Sequence, residues 1–104
     1  MTWQNKIEFK KRVREWAKKL EMDIHSLAVR PMKNKWASCS TNRYLNFNKE
    51  VLDLDEDIGD YVIVHELLHF NIPNHGKLWQ SLMTAYLGDY KKIEKRLKNI
   101  GNVS

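Results

Sequence analysis

Tyr61-Val-Ile-Val-His65-Glu66-Leu-Leu-His69-Phe-Asn-Ile-Pro73-Asn-His75-Gly76 is the stretch on which the reading of this chain turns. Apolar residues cover nearly the whole circumference of a helix through Tyr61, Val62, Val64, Leu67 and Leu68 towards Ile72, a pattern that belongs at the centre of a domain. Asp55 or Asp57 can cap its start, and Pro73 discourages its continuation. Within it His65 and His69 stand four residues apart, about 40° around the axis and about 6 Å along it, so both imidazoles can reach one ion. Glu66 projects about 100° away from His65. It is poorly placed as a ligand and well placed to take a proton from water beside the same ion.

This spacing, with the Glu between the histidines and a helix around them, is a motif of zinc hydrolases. A catalytic zinc has three protein ligands and one open position. His75 is the expected third ligand, because Pro73 ends the helix and Asn74-His75-Gly76 can fold the chain back on it. Glu94 is the alternative third ligand, otherwise a helix-surface partner of Lys91 or Lys98. Cys39 is a soft donor in principle but is expected as a small buried hydrophobe on a strand, and His25 as a surface residue.

Outward from this helix the chain reads as α+β. Residues 3–20 place Phe9, Val13, Trp16, Ala17 and Leu20 three and four apart, which predicts an amphipathic N-terminal helix. Residues 27–32, 35–40 and 44–48 read as three strands. Short connections at Lys33-Asn34 and Thr41-Asn42-Arg43 predict a three-stranded antiparallel meander. Two C-terminal helices follow, the first with Leu78, Leu82, Met83 and Tyr86 and a stop at Gly88, the second with Ile93, Leu97 and Ile100, a cap at Asp89 and a stop at Gly101.

At 104 residues the chain is expected to form a single domain over 1–104 with one modest core. A lone cysteine and no leader-like N-terminus give a cytoplasmic expectation, and no apolar run is long enough to cross a membrane. The formal charge of +5 is concentrated on two helix faces and reads as solvated surface, compatible with a nucleic-acid partner without requiring one.

Arg30-Pro-Met-Lys-Asn-Lys-Trp-Ala-Ser-Cys39, Leu45-Asn-Phe-Asn48, the segment from Tyr61 to His69, Asn74-His-Gly-Lys-Leu-Trp79 and Gly88-Asp-Tyr-Lys91 carry a broader likeness. Through these motifs the chain resembles the YgjP-like metallopeptidase domain family, related to the SprT-like and WLM zinc peptidases, in a minimal form similar in scale to minigluzincins. Mild departures are Ala37, where the family commonly has Gly, and Leu78, where it commonly has Phe. The resemblance implies one catalytic Zn2+ on His65, His69 and His75, catalysis by Glu66, and a zincin-like fold with a small antiparallel sheet beside the metal helix.

The expected activity is therefore hydrolysis of peptide bonds in a polypeptide substrate by a monomeric zinc peptidase, with Glu66 as general base and acid. Two alternatives are a metal-dependent nucleotide pyrophosphohydrolase and a non-catalytic zinc-stabilised binding module. The first lacks a glycine-rich phosphate loop or an acidic magnesium cluster, and the second has no use for Glu66. Around the site, residues 35–40 or their neighbour are expected to border a cleft, with Trp36 either as an apolar wall or as core, and Trp79 as core. Arg30, Tyr90 and Lys91 are candidates to stabilise the transition state. The basic residues 91–104 are a candidate restraint over the cleft.

Overall fold

The computed structural model describes residue 3 and residues 5–100. Helix α1 (Lys6–Lys19) is followed by strands β1 (Ser26–Arg30), β2 (Ala37–Cys39) and β3 (Tyr44–Asn48), a 3-10 turn (Lys49–Asp53), and helices α2 (Glu56–Leu68), α3 (Lys77–Leu87) and α4 (Tyr90–Ile100). The α+β composition, the N-terminal helix, the central helix and the two C-terminal helices are as the sequence predicts. The 3-10 turn was not expected.

The antiparallel meander is overturned. The sheet order is β1-β3-β2, with β1 parallel to β3 and β2 antiparallel to β3. The hairpin from β2 to β3 stands, closed by a turn in which Arg43 adopts a positive φ of 64° and its N–H donates to the Ser40 carbonyl. The difference lies in residues 31–36, which carry the chain across the sheet instead of turning tightly at Lys33-Asn34. Pro31 lacks a ladder donor, and the middle of the sheet goes to the strand whose Leu45 and Phe47 are most completely buried. Asn48, at the end of that strand, ties the crossing down: its Nδ2 donates to the carbonyls of Met32 (3.1 Å) and Lys35 (2.9 Å), and its own N–H donates to the Trp36 carbonyl (2.8 Å).

Helix α1 starts later than the apolar pattern suggests, because Asn5 caps it by accepting from the Glu8 N–H at 2.9 Å. Trp3 lies ahead of the helix and is buried against Gly59 of α2, where a Cβ would stand 2.6 Å from the indole. Phe9, Val13 and Ala17 form the buried stripe of α1, with the Phe9 ring edge-on to Trp3 and to Phe47. The helix is also tied to α2 through Asp60, which accepts from Arg12 Nε and Nη2 at 2.7 Å each and from Trp16 Nε1 at 2.8 Å. This pairing raises the Arg12 pKa, first through the hydrogen bond to Asp60.

Helix α2 is central, with Ile58 to Val64, Leu67 and Leu68 buried. Around it sit the sheet, α1, α3 and α4. The apolar stripe of α3 is shifted from the predicted one: Trp79 and Met83 are buried, whereas Leu78 is exposed. Gly88 ends α3 with a φ of +70°, which favours glycine. In α4, Tyr90 and Leu97 are buried and Ile100 is exposed. The predicted stop at Gly101 lies outside the described residues. No described helix is long and apolar enough to cross a membrane.

Candidate metal centre

Helix α2 ends at Leu68, with His69 as its C-cap, so His65 and His69 leave the same face of its last turn. The chain then turns through Pro73 and Asn74, whose Oδ1 accepts from the Gly76 N–H at 3.0 Å. Helix α3 begins at once, and Gln80 Nε2 donates to the His75 carbonyl at 2.9 Å, fixing the loop that carries the third imidazole. The ring of His75 thereby comes within 5.0 Å of the His65 ring and 4.8 Å of the His69 ring, centroid to centroid. One nitrogen from each of the three lies within 4.8 Å of the others.

Hydrogen bonding decides which nitrogen each ring can offer. A carbonyl can only accept, so the 2.9 Å contact from His69 Nδ1 to the Ile72 oxygen places the proton on Nδ1 and leaves Nε2 with its lone pair. His65 Nδ1 likewise lies 2.9 Å from Glu66 Oε2, which leaves Nε2 of that ring free. The Nε2 atoms of His69 and His75 are 2.9 Å apart, near the roughly 3.3 Å that separates two tetrahedral ligands of one zinc ion at about 2.0–2.1 Å each. Burial first, and then the neighbouring His65 and His69, lower the His75 pKa and favour the neutral form that ligates metals. Three imidazoles so arranged fit a borderline divalent cation such as zinc.

Glu66 stays outside this cluster, as its helical angle requires. Its carboxylate faces His65 Nδ1 on one side and the Cys39 thiol of β2 on the other. Cys39 is only partly buried, not the small buried hydrophobe expected from its strand, and it pairs with a carboxylate: burial, followed by the charge and hydrogen bonding of Glu66, pushes its thiol up to about 11. Glu94 does not join the histidines. Its Oε2 accepts from the Tyr61 hydroxyl at 2.8 Å, and burial, together with that bond, raises the Tyr61 pKa.

Two residues near the site escaped the sequence reading. Tyr61, one turn before His65, lies 5.6 Å from its ring. Trp79, expected only as core, is buried and also contacts all three imidazoles, at 4.4 Å from His75, 5.2 Å from His65 and 6.0 Å from His69. The available signal was spacing, since Tyr61 precedes His65 by four residues and Trp79 follows His75 by four. Trp36 is both buried and part of a cavity wall beside Glu66.

Of the transition-state candidates, Tyr90 packs edge-on against Trp79 at 5.7 Å, Lys91 lines an outer groove between α3 and α4, and Arg30 ends β1 as an exposed residue. His25 meets Tyr44 edge-on, apart from the cluster. Of the candidate restraint at residues 91–104, the part within α4 is packed on α2: Leu97 is core, and Arg96 binds Asp57 at 2.6 Å and Asp55 at 3.1 Å. Residues 101–104 lie outside the described residues.

A buried helix carrying paired histidines against a small sheet, with a third imidazole returned by the next loop, defines a small α+β metallohydrolase. The chain belongs to the YgjP-like, metallopeptidase domain family, whose match spans residues 2–100. It is 37% identical over 79 residues to the uncharacterized protein MJ0123 of Methanocaldococcus jannaschii, covering 72% of each chain. Among solved structures it resembles the metallopeptidase zymogen of M. jannaschii jannalysin, with a TM-score of 0.75 and 35% identity over 88% of this chain and 93% of that one. It shares its fold with the metallopeptidase zymogen of Pyrococcus abyssi abylysin, at a TM-score of 0.77 and 22% identity over 92% of this chain and 97% of that one. The chain is thus a peptidase of the metal-dependent kind.

Proposed function

We propose that the chain is a zinc peptidase in which His65, His69 and His75 hold one ion and Glu66 is the general base and acid. The observation that carries this reading is the convergence of three ring nitrogens within 4.8 Å, with the Nδ1 atoms of His65 and His69 already committed to other partners. Bound there, zinc supplies Lewis acidity towards a carbonyl and a lowered pKa for water. Glu66 accepts the water proton on its carboxylate, and the His65 Nδ1–H and Cys39 thiol hold that carboxylate in place until it delivers the proton to the leaving amine nitrogen.

Substrate positioning falls to β2. It is an outer strand of the sheet, and its first residue, Ala37, lies beside the cavity that Glu66 also lines. An extended polypeptide can add to its outer edge through backbone hydrogen bonds. The reading treats residues 1–104 as one domain acting as a monomer.

Glu66→Gln tests it. Hydrolysis of an unstructured polypeptide by the zinc-supplied protein should fall by at least about a hundredfold, while bound zinc and the unfolding transition stay as in the parent. Nucleoside triphosphates should remain intact under the same conditions. Undiminished proteolysis by the variant would remove Glu66 from the mechanism, and triphosphate cleavage without proteolysis would favour the pyrophosphohydrolase.

A further inference from the structure

Beside Glu66 the fold leaves a small recess. Trp36 and Ala37 form the side towards the sheet, Tyr61 and Val62 the side of α2, and Leu97 of α4 the far wall, around a cavity of ≈ 30 Å³ that His65 and Glu66 also line. The aliphatic and aromatic walls are rigid. Trp36 and Ala37 are each 7% exposed, Leu97 is 2% exposed, and all three belong to the main core, so none can swing into solvent to make room.

We propose that this recess is a specificity subsite for the peptide residue next to the bond being cut, and that it selects side chains between alanine and valine in size. The inference rests on the peptidase reading above. Its first ground is position: the recess shares Glu66 and His65 with the reacting centre and Ala37 with β2, so a substrate bound along the β2 edge can place a side chain at its mouth. Its second ground is size. A single water-sized group needs roughly 10–15 Å³ of such space, so the recess of ≈ 30 Å³ takes two or three. That admits a methyl or an isopropyl group and excludes a phenyl ring or a long leucine-like chain without repacking. Its third ground is polarity. The apolar walls leave a charged side chain without a partner, and the Glu66 carboxylate repels an acidic one.

The test is a set of otherwise identical unstructured peptides, differing at the residue beside the cut, with cleavage positions read by mass spectrometry. For the zinc-supplied full chain, kcat/KM should be at least about tenfold higher for alanine or valine than for phenylalanine, the scale on which a hydrophobic pocket discriminates. Leu97→Ala removes the far wall and Ala37→Gly removes a methyl from the facing one. Each should shift the phenylalanine-to-alanine ratio upwards, with Ala37→Gly serving as the milder variant if Leu97→Ala fails to fold. Cleavage by the parent without regard to side-chain size would overturn the subsite while leaving the peptidase intact, as would folded variants with an unchanged ratio. Zinc-loaded protein that cuts none of the peptides would overturn both.

Discussion

The indole of Trp79 lies 4.4 Å from the imidazole of His75, centroid to centroid, and the same indole lies nearly parallel to His69 at 15°. One buried side chain of α3 thus forms a floor beneath ligand candidates from two separate segments. Groups that orient metal ligands typically change affinity by 10–100-fold when removed. Trp79→Leu, which keeps an apolar residue but not the flat surface, should weaken zinc binding by about tenfold in a chelator competition, and Trp79→Phe should restore most of it. Unfolding of the metal-free variants provides the control for simple core damage. Equal zinc affinity in the Leu and Phe variants would show that the ring surface has no orienting role.

Arg12 and Asp60 join α1 to the buried helix by two 2.7 Å bonds. Asp60 is only 9% exposed, so removing its partner strands a carboxylate away from water. Because Arg12 itself remains partly solvated, the full penalty of a buried pair does not apply. Arg12→Ala should lower unfolding stability by about 2 kcal/mol in urea. Arg12→Lys should recover only part of this, since an ammonium cannot make the paired geometry of a guanidinium.

Gly59 accommodates Trp3 where any Cβ would meet three ring atoms at 2.6 to 2.8 Å. An indole is rigid and cannot yield as the tip of a lysine would. Gly59→Ala should destabilise by about 1–3 kcal/mol despite alanine's better helix propensity. A thermal melt showing stabilisation would mean that Trp3 is readily displaced from α2.

Cys39 should be a slow nucleophile. Moving its pKa from 9.0 to about 11 reduces the thiolate fraction at pH 8 by roughly a hundredfold, and only the thiolate is alkylated. In the metal-free protein, the iodoacetamide rate should rise with pH to a half-maximal value near 11, well above that of an unperturbed thiol. Glu66→Gln removes a negative charge beside the sulfur and should move the profile downwards. The return is partial because burial is the larger cause. A parent profile centred near 9 would contradict this placement of Cys39.

Much of the site was legible because it is local. His65, Glu66 and His69 share one helix, and the 3.6-residue repeat alone sets their angles. The placement of His75 required only a helix breaker and a short return. The nearly continuous apolar surface of α2 likewise announced its central position, and Gly88 announced the end of α3. Leu78 misled because its spacing in α3 is compatible with a stripe that also admits Trp79, and the larger indole took the buried place.

By itself, then, the order of residues determined the helices, the strand-forming segments and the convergence of His65, His69 and His75, all through short-range geometry. Only the tertiary structure decided that β3 lies between β1 and β2, that Cys39 faces Glu66, that Trp79 underlies three imidazoles, and that Trp36 and Leu97 close a recess beside them. Those relationships join segments far apart in the chain. Hydrophobic pattern tells each segment which side to bury, but the choice of neighbour follows from how all the buried sides pack at once.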